Sequence, residues 1–274
     1  MLKSSPKIFS HFMLISGLLL MIVPIWMIFA SSTHTNSTIR SEGMQLFIGE
    51  NFIDNYDKVL NIKGGFSQEI TVTSMLINSF IMAIGIATLT VVTSLMSAFA
   101  IVYFKFKLAI PFFWLIFITI LVPLELRIMP SYQIVSDLGL TNSYLGLILP
   151  LSASAIATFF FRQFYLSIPD ELLEAAKLDG ANSWKFFIDF LIPLSKTMIT
   201  AVFIFMFIYG YNQYLWPLIM TTSEKYWTVV MGMKMLNIRS SVEGYAYIIL
   251  SMLPPVLVII ILQRYFIQGL FQSK

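Results

Sequence analysis

Ile168-Pro169-Asp170-Glu171-Leu172-Leu173-Glu174-Ala175-Ala176-Lys177-Leu178-Asp179-Gly180-Ala181 is a short polar island in an otherwise apolar chain. Ser167 is placed to cap a helix here. Pro169 pre-sets the backbone at its start, and Asp170 and Glu171 suit the positive end of a helix dipole. Gly180 stands where a left-handed residue stops a helix. Leu172, Ala175, Ala176 and Asp179 recur at i, i+3, i+4 and i+7 and therefore share a face, on which two alanines let another surface approach closely. A second amphipathic piece follows, capped by Asn182 or Ser183, with Trp184, Phe187, Ile188 and Leu191 on one side. Trp and Phe are frequent anchors at protein interfaces. A capped helix of this kind is either a handle for a partner outside the bilayer or a segment lying flat on the membrane surface.

The flanking runs identify the solvent. Of 274 residues, 58% are hydrophobic and only 11% charged, and the mean hydropathy is +0.82. A water-soluble domain carries about 25% charged residues, so this surface is built for lipid. About 20 apolar helical residues cross the hydrocarbon layer. Stretches at 9–30, 74–103, 108–129, 144–165, 197–220 and 245–266 qualify. They are continuously apolar rather than alternating, which selects helices over a barrel. The expected fold is an all-α membrane protein with about six transmembrane helices. The first run follows Lys3 and Lys7 but is longer than the roughly 7–15-residue core of a signal peptide, so it is read as a retained helix.

Charge sets the orientation. With the N-terminus inside, the inner segments hold ten basic residues (Lys3, Lys7, Lys105, Lys107, Arg162, Lys177, Lys185, Lys196, Arg264, Lys274) against five acids (Asp170, Glu171, Glu174, Asp179, Asp189). Excess Lys and Arg marks the cytoplasmic side. Both termini and the polar island are therefore expected in the cytoplasm, where ATP is. The net charge of +3 reflects this bias and carries no nucleic-acid signal.

Residues 31–73 read as an outer loop with one short helix near 54–60, and 130–143 as an outer link with a short helical piece. Residues 221–244 form the last outer loop. No internal repeat is visible. Cysteine is absent, and His11 and His34 are separated by the first span, so no thiolate or histidine metal cluster can be built. No metal or cofactor is expected.

Two polar groupings interrupt the spans. Tyr211, Asn212, Gln213 and Tyr214 lie in or near the outer end of the fifth, where Gly210 and Pro217 permit a bend. Polar side chains there either bond neighbouring helices or line a wet path. Glu125 and Arg127 close the third span between Pro123 and Pro130. Arg127 either snorkels to the outer headgroups or offers a guanidinium fork to an anion such as phosphate.

Other classes fit poorly. No G-x-x-x-x-G-K-[ST] phosphate loop exists, and Gly64-Gly65 lacks a following basic residue. A lipid-modifying enzyme would need convergent acids, bases or metal ligands, and there is no His pair, thiol or G-x-S-x-G. An ion-coupled carrier would place a carboxylate mid-span, and only Glu125 comes near.

The order Glu174-Ala175-Ala176, three residues, then Gly180, with Ile192-Pro193-Leu194 downstream, resembles the signature loop of ABC-importer permease subunits. Further segments are similar to the second permease subunit of carbohydrate-type importers: Ser97-Ala98-Phe99-Ala100-Ile101-Val102, Phe112-Phe113-Trp114 through Ile118-Thr119, Phe159 to Phe164, Pro193 to Thr197, and Phe207 to Leu218. The likeness runs from about Asn78 to the C-terminus. It implies a type-1 ABC importer transmembrane domain in a bacterial cytoplasmic membrane. Residues 1–72 would then hold the first helix and outer loop, 73–268 the permease core with a coupling loop at about 167–194, and 269–274 an inner tail. The implied partners are a homologous second permease subunit, two ATPase subunits that hydrolyse the ATP, an external substrate-binding protein and membrane lipid. The implied coupling residues are Glu171, Glu174, Ala175, Ala176, Asp179, Gly180, Trp184 and Phe187. The substrate path would involve Arg127, Glu125, Tyr211, Asn212, Gln213 and Tyr214. The implied cargo is sn-glycerol-3-phosphate, with glycerophosphodiesters as an additional candidate and a neutral sugar or polyol as the alternative.

Overall fold

The computed structural model describes residues 7–64, 69–104, 106–235 and 241–271. Lys3, Lys105 and Lys274, counted above for orientation, lie outside these residues, as do Gly65 and the last three residues of the tail read at 269–274. In chain order the helices are α1 (Lys7–Ser31), α2 (Asn36–Glu42), α3 (Phe52–Asn61), α4 (Val72–Tyr103), α5 (Ala109–Ile118), α6 (Leu124–Asp137), α7 (Tyr144–Ile148) and α8 (Ala155–Leu166). They continue as α9 (Asp170–Leu178), α10 (Ser183–Phe186), α11 (Ile192–Leu194), α12 (Lys196–Tyr211), α13 (Leu215–Met220), α14 (Val229–Met235) and α15 (Val242–Phe271). A two-stranded antiparallel ladder pairs Lys63 with Thr71 and Gly64 with Ile70.

Among the described residues, three helices are each long and apolar enough to cross a bilayer: Phe9–Ser31, Val72–Tyr103 and Val242–Tyr265. These match the first, second and sixth stretches read from the sequence. The other three are broken. The third turns by 109° between α5 and α6, because Pro123 takes an extended ψ of 149° and starts a new helix. Glu125 and Arg127 therefore sit in the first turns of α6 and do not close a straight span, and Pro130 lies inside that helix rather than ending it. The expected outer link at 130–143 is helical as far as Asp137. The fourth stretch bends by 49° between α7 and α8, where Ser154 begins α8 by accepting the Ala157 N–H at 3.2 Å.

The chain forms two compact units, 1–74 with 232–253, and 75–231 with 254–274. In the first, the end of α1 organises the segment that follows it. The Ser31 hydroxyl accepts the Gln45 N–H at 2.8 Å, Thr33 accepts the Gly49 N–H at 2.6 Å, and Asn55 donates to the Ser32 and His34 carbonyls. Glu243, at the start of α15, accepts from Asn36 at 2.9 Å and pairs with Lys58 at 2.7 Å.

In the second unit, α4 is the spine. Packing in lipid rewards close contact rather than removal of apolar area from water, so small residues gather where helices cross. Ala83 and Ala87 of α4 are fully buried. Gly210 of α12 lies so near that an added Cβ would meet the Ala83 Cα at 3.2 Å and the Ile86 side chain at 3.1 Å. Gly210 thus serves close helix approach, not a bend. The helix breaks later, at Asn212–Tyr214. At the other end of α4, Asn78 donates to the Lys225 and Trp227 carbonyls and accepts from the Tyr144 hydroxyl at 2.7 Å.

Candidate functional site

The polar island folds as a capped helix with one correction to its start. Ser167 closes the preceding helix, donating its hydroxyl to the Phe164 carbonyl at 2.6 Å. Pro169 occupies the N-cap of α9 with no side-chain cap, and Asp170 and Glu171 form the first turn. At the far end Gly180 adopts φ +75°. Its N–H reaches the Lys177 carbonyl at 3.0 Å and the Ala181 N–H reaches that of Ala176 at 2.9 Å, which together satisfy the helix's last carbonyls. Asn182, the first of the two candidate caps, starts α10 by accepting the Lys185 N–H at 2.8 Å.

The helix faces are divided differently from the sequence pattern. Ala176 is 1% exposed and packs inward with half-buried Leu172 and Leu173, whereas Ala175 is exposed. The outward ridge is Glu171, Glu174, Ala175 and Leu178, and Leu178 is 89% exposed. Asp179 is exposed at the helix end. In the second piece, Trp184 is exposed while Phe187 and Leu191 are buried.

What seats the loop is aromatic. Phe187 lies 4.8 Å from Phe99, and Phe186 lies 5.3 Å from Tyr103, which in turn contacts Tyr165 at 5.9 Å. The loop is thereby docked on the C-terminal end of α4 and on α8, the element leading into it. A π-helical turn at Phe187–Leu191 and a 74° bend then pass the chain into α12. Phe186 and Leu178 were not singled out from sequence. Leu178 could have been, because it stands four residues after Glu174 and seven after Glu171, on the same stripe.

The candidate substrate-path residues are brought together only in part. Arg127 is exposed and lines a cavity of about 310 Å³ with Thr119, Ser154, Phe205, Met206 and Tyr209 among its walls. Glu125, Asn212, Gln213 and Tyr214 do not line it. Tyr211 is 3% exposed and stacks on Phe207 at 5.9 Å, so it is packed in the core of its unit. Gln213 donates to the Tyr209 carbonyl at 3.3 Å, and the Tyr209 hydroxyl is within reach of Gln213, Arg127 and Glu125. Tyr209 is the cavity residue the sequence did not flag. Its signal is weak, a tyrosine one turn before a glutamine in an aromatic-rich helix.

The chain belongs to the family described as binding-protein-dependent transport system inner membrane component, matched over residues 81–272. It is 43% identical to the sn-glycerol-3-phosphate transport system permease protein UgpE of Rhizobium meliloti, over 98% of this chain and 97% of the relative. The protein of the same name from Yersinia pestis is 42% identical over 97% and 96% of the two chains. In fold, the chain is similar to a chain of a bacterial ABC transporter involved in the import of the acidic polysaccharide alginate. The TM-score there is 0.80, with 20% identity over 95% of this chain and 96% of that one.

Proposed function

We propose that this chain is the membrane-spanning subunit of an ATP-driven importer that carries sn-glycerol-3-phosphate into the cell by alternating access. The cargo follows from the relatives named for it, which align over nearly the whole chain at 42–43% identity. The observation that carries the coupling is the ridge of Glu171, Glu174, Ala175 and Leu178 on a helix otherwise held by its own chain. A leucine left in water beside two carboxylates is stabilised when a partner covers it. Asp179, Gly180 and Trp184 extend that contact, while Ala176 and Phe187 seat it.

In this reading the loop at 167–194 and both termini are cytoplasmic, and residues 73–268 form the permease core. Two ATPase subunits grip this loop and its counterpart on a homologous permease subunit, and an external binding protein delivers the cargo. Closure of the ATPase pair on ATP draws the two loops together. Rigid helix groups then rock about the broken spans, opening the path outward, and hydrolysis resets it. Arg127 and Glu125, with Asn212, Gln213 and Tyr214 at the α12–α13 break, belong to that path. Tyr211 supports it from the core.

The test is uptake of radiolabelled sn-glycerol-3-phosphate by cells in which the chromosomal copy is deleted and then restored. The expected outcome is loss and recovery of ATP-dependent uptake, with the Glu174→Lys copy present in the membrane but failing to restore it. Uptake of a neutral sugar instead, with glycerol phosphate ignored, overturns the cargo and leaves the coupling reading standing.

A further inference from the structure

The cavity beside Arg127 is bounded by four pieces of broken helix. They are the end of α5 with the turn after it, the start of α6, the bend between α7 and α8, and the middle of α12. Each break interrupts a helix within the unit 75–231. In a membrane protein, irregular backbone is tolerated where it is buried in protein or lines a wet cavity. Most of the wall is apolar, with Ile120, Val122, Leu151, Phe205 and Met206 among it. The polar side chains in that wall are those of Thr119, Ser154, Arg127 and Tyr209, and Arg127 alone is charged.

Arg127 is not neutralised by a carboxylate. Among the described residues the ion pair within 4.0 Å is that of Lys58 with Glu243. Glu125, two positions away on the same helix, makes no ion pair with it, although both charges act on the Tyr209 hydroxyl. A cation in an apolar wall is costly unless something anionic visits it. The exposed guanidinium can form a charge-assisted, bidentate bond with an anion that enters the cavity. The volume of about 310 Å³ lies at the lower limit of the roughly 300–1,000 Å³ usual for ligand pockets, which suits a small solute. The Gln213 amide donates to the Tyr209 carbonyl at 3.3 Å and its side chain bonds the Tyr209 hydroxyl, on which the Arg127 and Glu125 charges also act. Arg127 and Tyr209 can therefore act on one small ligand.

We infer that this cavity is a subsite for a small phosphate monoester, in which Arg127 takes the phosphate and the Tyr209 hydroxyl reads the hydroxyl groups of the esterified alcohol. The inference rests on the proposed glycerol phosphate cargo and adds to it a site within this chain and a residue for selectivity. Arg127 alone would accept any phosphate. Tyr209, whose hydroxyl is bonded to the Gln213 side chain, can exchange that partner for an alcohol hydroxyl, which a polyol phosphate offers and inorganic phosphate does not.

The experiment uses the reconstituted importer assembly in nanodiscs, with transport measured at saturating binding protein and thermal stabilisation measured without it. For the wild type, sn-glycerol-3-phosphate raises the melting midpoint and is transported, while glycerol does neither. Tyr209→Phe, which keeps the ring, is expected to lower the transport rate about tenfold and to abolish the preference of the stabilisation for sn-glycerol-3-phosphate over inorganic phosphate. Arg127→Gln is expected to lose stabilisation by both anions, and Arg127→Lys to keep part of it as a point charge without the fork. Wild-type transport and wild-type selectivity in Tyr209→Phe would overturn the subsite. A wild-type assembly that neither binds nor transports sn-glycerol-3-phosphate would instead overturn the cargo on which it rests. A lowered midpoint in ligand-free Tyr209→Phe, with an unchanged ligand-induced shift, marks Tyr209 as packing only and overturns its role in selectivity.

Discussion

At the residue scale, Gly180 and Glu174 do different work in the same loop. Gly180 holds φ +75°, a conformation that costs a residue bearing a Cβ about 1–2 kcal/mol, and a β-branched side chain more than most. Gly180→Val is therefore expected to unwind the last turn of α9 and displace the Leu178 tip. Membrane level should stay normal while substrate-stimulated ATP hydrolysis by the assembly falls several-fold, measured beside Gly180→Ala as the milder change. Full activity in the valine variant at normal expression would remove the helix end from the coupling surface. Both residues stand out in the sequence because their roles are local: a left-handed stop and an exposed charge need no distant partner. Ser167 shows the converse. Its hydroxyl is equally suited to end one helix or begin the next, and it closes α8 because Pro169 already starts α9.

At the element scale, the coupling proposed for the loop depends on how firmly the loop is seated. Phe186 is 2% exposed between Tyr103 and Phe190. Truncating a buried aromatic costs about 3–5 kcal/mol. Phe186→Ala is expected to leave the outward ridge chemically intact yet loosen its attachment to α4. The assembly should then hydrolyse ATP with transport reduced disproportionately, and the ratio of cargo moved to ATP consumed is the quantity to measure. Phe186→Leu should recover part of that ratio. An unchanged ratio in Phe186→Ala would mean that the aromatic seat carries no load. Periodicity did not single out Phe186 because Phe186 and Phe187 are adjacent, and a helical pattern assigns adjacent residues to directions about 100° apart. Both are buried, with the π-helical turn at Phe187–Leu191 altering the spacing that follows.

At the scale of the whole molecule, the unit 1–74 with 232–253 is tied by contacts far apart in sequence. Glu243 joins Asn36 and Lys58, and the Val242 N–H donates to the Asn36 side chain at 2.9 Å. The Lys58 side chain is 63% exposed, so solvent screens that pair to well under about 1 kcal/mol. The amide bonds, which Glu243 accepts at 12% side-chain exposure, matter more, at about 1–3 kcal/mol. Lys58→Met should accordingly change the melting midpoint little, whereas Glu243→Ala should lower it by a few degrees and open residues 44–53 to added protease. Equal effects of the two substitutions would show that the ion pair, not the amide, holds the segment.

The sequence by itself determined the solvent, the helical class, the number of apolar stretches and the capped loop between the fourth and fifth of them. Those properties follow from composition, run length and local stereochemistry, which neighbouring residues settle among themselves. Tertiary structure decided which residues share a surface. It separated exposed Ala175 from buried Ala176, placed Tyr211 in the core, and brought Tyr209 to Arg127 across more than eighty positions. It also broke the third span at Pro123 and turned 124–137 into a helix of its own. In a membrane protein nearly every residue of a span is apolar, so the contrast between inside and outside that makes periodicity legible in water is missing. The faces are chosen by helix-to-helix fit, and that fit exists only once the helices have met.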